Sequence, residues 1–131
     1  MRRHTTFTVV MAIAALMIMV GTSSITWAVE PEVKTVEGEL LDLRCYTSRG
    51  AQGEAHQACG AACATRGLPI GVLNTDGKAY TLLVASPAYA DYINKSVRIT
   101  GKVTNMMLSP TKMEIKEGDS WKVVELSKEM M

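Results

Sequence analysis

Four side chains able to hold a soft metal ion or to do thiol chemistry crowd one short stretch of the chain: Cys45, His56, Cys59 and Cys63. The last three read His-x-x-Cys-x-x-x-Cys. Steps of three and four residues return to the same face of a helix, so this spacing predicts one imidazole and two thiols side by side, with Cys45 just upstream. The stretch holds all three cysteines of the protein and the only histidine besides His4. Zinc and soft copper favour thiolate and imidazole donors, and three cysteines with one histidine complete a tetrahedral set. The expectation is a zinc or copper ion bound by Cys45, His56, Cys59 and Cys63, in a structural or metal-trafficking role, with no residue assigned to catalysis.

The first 28 residues read as an export leader. Arg2 and Arg3 make a positive start, an apolar run spans Phe7 to Val20, and Thr26-Trp27-Ala28 puts small residues where a signal peptidase needs them. Cleavage is expected after Ala28, leaving residues 29–131 as one domain in the periplasm or outside the cell. The apolar run is shorter than the ~20 residues of a comfortable membrane span, so membrane attachment is expected only if the leader stays uncleaved. Removing residues 1–28 takes Arg2 and Arg3 and no acidic residue, leaving 12 of the 14 basic residues against 13 acidic ones. That near-neutral balance argues against the concentrated basic surface that nucleic acid requires; the partner to expect is a protein of the cell envelope. A chain this short buries one modest core.

Export also sets the redox context, because thiols outside the cytoplasm tend to pair or bind metal. In the alternative reading, Cys45 pairs with Cys59 or Cys63, stapling the segment into a metal-free interaction module. Such a bridge would contribute ~3 kcal/mol, but it leaves one thiol over and gives His56 no role. A thiol-dependent redox enzyme is a third reading, since a histidine one turn before Cys59 can lower a thiol pKa. Against it, the chain has neither Cys-x-x-Cys nor the Cys-x-x-Cys-His haem-attachment signal.

The elements that must position these groups are mostly strands. Lys34 to Arg44 reads as a first strand, with Leu40, Leu41 and Leu43 suggesting burial on parts of both faces. The segment 45–69 is an insert of different composition, polar around Ser48 to Gly53 and then an alanine-rich helix from about Glu54 to Arg66, closed by Gly67 and Pro69. Ile70 to Thr75 and Lys78 to Ala85 flank Asp76-Gly77 as a hairpin. Ser86-Pro87 opens a short helix to about Asn94, with Ser86 as its cap. Val97, Ile99, Gly101 and Val103 alternate with polar residues, the clearest half-buried strand in the chain. Strands around Met113 to Ile115 and over Trp121 to Leu126 follow.

Five or six strands, with a short helix after the third, predict a mostly β chain folded as a small antiparallel barrel. The helix placement and Val97-x-Ile99-x-Gly101-Lys102-Val103 resemble the OB fold, which implies a helix bridging strands three and four and a ligand-bearing loop after strand one, where the Cys/His insert lies. The combination Gly38-x-x-x-Asp42-x-x-Cys45, His56-x-x-Cys59-x-x-x-Cys63 and Gly67-x-Pro69 is similar to an arrangement that recurs in small exported bacterial proteins. That resemblance implies that the cluster is a unit; it implies no particular activity.

Other residues have two readings each. Met106, Met107 and Met113 could offer thioethers to copper but are expected to fill the core or a hairpin. Asp42 could orient His56 as a hydrogen-bond acceptor, yet a solvent-facing strand position is the preferred expectation. Arg44, Arg49 and Arg66 are expected as solvated charges, Tyr89 and Tyr92 as cover for one barrel end, and Trp121 at the core or its edge.

Overall fold

The computed structural model describes residues 29–126; the expected leader over 1–28, its cleavage after Ala28 and residues 127–131 lie outside the described residues. Six strands form: β1 (Glu32–Asp42), β2 (Ile70–Asn74), β3 (Ala79–Leu82), β4 (Ser96–Thr104), β5 (Met107–Glu117) and β6 (Ser120–Val124). Two helices stand between β1 and β2, namely α1 (Leu43–Arg49) and α2 (Gln57–Thr65), with a 3-10 turn (Glu54–His56) leading into α2. A 3-10 helix (Ser86–Tyr92) joins β3 to β4.

The strands hydrogen-bond in the order β3-β2-β1-β4-β5-β6, and β3 also pairs in parallel with β5 through Thr81 with Met107 and Leu82 with Leu108. This contact closes a five-stranded barrel, with β6 extending from the far half of β5. The expected small OB-like barrel is present, but it is mixed rather than wholly antiparallel. The reason is arithmetic: a closed ring with an odd number of strands cannot alternate direction at every step. Closure satisfies backbone groups that an open sheet would leave on its edges.

Side-chain alternation fills the interior. On β4, Val97, Ile99, Gly101 and Val103 are buried while their neighbours turn outward. Val36, Leu40, Val72, Ile99, Leu108, Met113 and Ile115 pack together, and Tyr89 and Ile93 join them from the crossover between β3 and β4. Each fully buried aliphatic side chain contributes ~1.5–3 kcal/mol. Along β1, Val36, Leu40 and Asp42 share one parity, so the inward row ends on a carboxylate. Leu41 has the opposite parity and is also fully buried, because α1 packs on β1 and β2 and covers the outer face there. Among the described residues, no helix is long and apolar enough to cross a membrane.

Several boundaries differ from expectation. The first strand stops at Asp42 rather than Arg44, and Leu43–Arg49 is a helix, because Asp42 accepts from the Cys45 N–H at 2.9 Å and Gly50 ends the helix at φ 67°. The β2–β3 turn is wider than Asp76-Gly77 alone. Asn74 Oδ1 accepts from the N–H groups of Asp76 (3.1 Å) and Lys78 (2.8 Å) and so holds a longer loop. The crossover helix is capped at Ala85, not Ser86, whose side chain is buried within the first turn. β5 begins at Met107, well before Met113, because its first residues supply the closing ladder. The end of α2 follows its sequence signal: Gly67 has φ 82°, its N–H reaches Ala64 O, and the Leu68 N–H reaches Cys63 O.

Candidate metal centre

The cluster is built outward from Asp42. This carboxylate is fully buried at the end of β1. Its Oδ1 caps α1 through the Cys45 N–H, and its Oδ2 lies 2.7 Å from His56 Nε2. In the tautomer that donates from Nε2 to the accepting carboxylate, the lone pair of Nδ1 is the ring's ligating site. The expected solvent-facing position of Asp42 is overturned. Its parity with Val36 and Leu40 was the available signal, outweighed by the prior that a lone carboxylate faces water.

His56 stands in the 3-10 turn ahead of α2 rather than on the helix proper, and it is buried. Its N–H donates to Gly53 O at 2.9 Å, and the Gly53 N–H donates to Glu39 Oε1 at 2.7 Å. The turn is thereby tied to β1 twice, through Glu39 and Asp42. Cys59 and Cys63 lie one helical turn apart on α2, Cys59 exposed and Cys63 buried, and α1 brings the buried Cys45 to them. Gly60 permits the approach of α2, since a β-carbon there would sit 2.8 Å from Ile93 Cγ2 and 3.3 Å from Asp42 Oδ2.

The donor atoms form two overlapping triplets. The sulfurs of Cys45, Cys59 and Cys63 all lie within 4.8 Å of one another, and the donor atoms of Asp42, Cys45 and His56 meet the same limit. Cys45 belongs to both. The expected site residues are thus gathered, with Asp42 added, as two sets joined at one sulfur. All three cysteines are free, and no disulfide links them. Sulfurs around one ion with M–S ~2.3 Å lie ~3.8–4.0 Å apart, which this spacing accommodates.

Arg49 is not merely a solvated charge. Its guanidinium approaches Cys45 Sγ at 3.5 Å and Cys59 Sγ at 3.9 Å. Arg44 and Arg66 are exposed, as expected. Met113 is buried in the core, and Met106 and Met107 are exposed at the β4–β5 turn. Tyr89 is buried and Tyr92 partly so at the barrel end, and Trp121 is half-buried under the Arg98 guanidinium, 4.2 Å from the ring centre.

Burial pushes the Cys45 thiol up from its ordinary value of 9.0, and the Asp42 carboxylate pushes it further by charge and hydrogen bonding; Arg49 pulls the other way. Without metal, Cys45 is therefore a protonated thiol at neutral pH, which disfavours it as a nucleophile. Two outcomes follow. Iodoacetamide on the native apo-protein at pH 7 should label Cys59 first and Cys45 slowest, as read by peptide mass spectrometry; equal rates would contradict the packing. A thiol whose folded pKa is raised adds stability that is full below the unfolded value and lost as pH rises past it. The urea midpoint of the apo-protein should therefore fall above about pH 9, and a Cys45→Ala variant should lose that component of the fall.

Fold and site together define a small OB-like β-barrel carrying a Cys/His/Asp cluster, able to hold a metal ion, in the insert between its first two strands. No family model matches the chain, and neither the curated proteins nor the solved structures include a significant match.

Proposed function

We propose that this protein is an exported metal-binding module that holds a zinc or copper ion at the Cys45, His56, Cys59 and Cys63 cluster, as a structural element or as a carrier within the cell envelope. The observation that carries this reading is the convergence of three free sulfurs from two helices within 4.8 Å of one another. Coincidence does not account well for the investment around them. A buried carboxylate aligns the histidine, a glycine admits the helix, and Glu39 pins the turn. A carboxylate on one imidazole nitrogen, with the other left free, is the usual support of a metal-bound histidine. The leader supports the exported setting, in which a protein of the cell envelope is the available partner, and the near-neutral charge argues against nucleic acid.

Protein purified from the periplasm should carry a stoichiometric transition metal, with thiols masked until a chelator is added. Metal-free protein with one titratable thiol and one disulfide would overturn the reading in favour of the stapled interaction module. A bound ion should also stabilise the fold. At free metal ~100-fold above Kd, the unfolding free energy should rise by ~2.7 kcal/mol, read by urea titration with and without chelator.

A further inference from the structure

Resting on that reading and narrowing its donor set to exclude His56, we propose that the ion is copper(I), held by the sulfurs of Cys45, Cys59 and Cys63, and that Arg49 biases the site against divalent ions. The grouping of donors is the first argument. The three sulfurs make one mutually close set, whereas the imidazole is grouped with Asp42 and Cys45. The fully buried Asp42 carboxylate, 2.7 Å from Nε2, holds the ring in that second group. Zinc in a closed protein site takes four donors, while monovalent copper is satisfied by two or three thiolates. A three-sulfur set whose mutually close donors do not include the imidazole matches the second preference.

Arg49 is the second argument. Its guanidinium donates toward Cys45 at 3.5 Å and Cys59 at 3.9 Å, on the side where Cys59 is exposed. There its positive charge offsets part of the charge of three thiolates. A fixed positive charge repels a dication twice as strongly as a monocation at the same place. The arginine therefore weakens zinc more than copper(I). The burial gradient adds direction: Cys45 and Cys63 are buried and Cys59 is not, so Cys59 is the sulfur through which the ion enters and leaves.

The test is anaerobic titration of the purified protein with copper(I) against bicinchoninate and with zinc against a chromophoric chelator, plus X-ray absorption on the copper-loaded form. Expected are three sulfurs and no nitrogen around copper. His56→Gln, whose amide can still donate to Asp42, should cost zinc, which needs a fourth donor, more affinity than it costs copper(I). Cys59→Ser should keep copper(I) on the remaining pair and lose zinc. Arg49→Ala should shift the copper-to-zinc affinity ratio about tenfold toward zinc. A nitrogen in the copper shell together with a large copper loss in His56→Gln would overturn the three-sulfur assignment, and an unchanged ratio in Arg49→Ala would overturn the role of the arginine. Failure of both ions to bind wild-type protein defeats the metal reading itself, a separable result.

Discussion

Asp42→Ala is expected to lower the unfolding free energy of the metal-free protein by about 3–5 kcal/mol, a loss measurable by urea denaturation. The residue does two jobs from one buried position. Its Oδ1 satisfies the Cys45 N–H at the start of α1, and losing such a cap costs ~1 kcal/mol. Its Oδ2 is the partner of a buried imidazole N–H, and orphaning that group costs a further ~1–3 kcal/mol. The vacated space adds the remainder. Asp42→Asn separates the two jobs. The amide oxygen can still cap α1, while the amide nitrogen faces His56 and forces its proton from Nε2 to Nδ1. That variant should lose only ~1 kcal/mol. If His56 ligates through Nδ1, it should also lose metal affinity, whereas a three-sulfur site would be indifferent. A loss in Asp42→Ala no larger than in a surface Asp→Ala control such as Asp119→Ala would show that the buried pair is not formed.

Gly60→Ala should destabilise the protein by about 1–2 kcal/mol, and Gly60→Val by about 3 kcal/mol or more. Helix propensity alone predicts the opposite sign, since alanine in a helix interior is favoured over glycine by ~1 kcal/mol. The packing decides. A β-carbon at this position meets the Ile93 methyl at 2.8 Å, with Asp42 Oδ2 at 3.3 Å and His56 Cδ2 at 3.6 Å. Ile93 is fully buried and β-branched, so it cannot swing aside. Either the helix moves off the carboxylate–imidazole pair or Ile93 shifts within the core. Equal or greater stability of Gly60→Ala, read from paired urea midpoints, would mean that α2 does not press on Asp42 as described.

Much of this molecule was legible from the residues alone, for physical reasons that can be named. The β4 alternation, the Gly67 helix stop and the gathering of three cysteines rest on short-range rules of period and conformation. The barrel class followed from strand number and the place of the crossover helix. What escaped depended on contacts distant in sequence. α1 was hidden because Leu43 continues an apolar run from β1, and its start is marked only by Asp42 acting as a cap. Asp42 itself was misjudged because its burial depends on His56, fourteen residues on, and on α2 lying over the barrel end. The parallel β3–β5 contact leaves no local trace, since it is a property of ring closure. The contact of Arg49 with two sulfurs required knowing that α1 and α2 meet.

The insert leaves and re-enters the barrel at neighbouring rungs of one ladder. Asp42 pairs with Ile70, and the Leu43 N–H donates to Pro69 O at 2.9 Å. The sulfur-bearing segment is thus a cassette mounted on the corner of a hairpin, with both attachment points already side by side. Replacing it with a tight turn leaves the ring of strands topologically whole, and the same corner on another barrel offers a mount for it. The recipient must supply what the cassette borrows from its host: an inward-facing carboxylate on the last rung, a glutamate three residues earlier, and a core side chain such as Ile93 against the glycine.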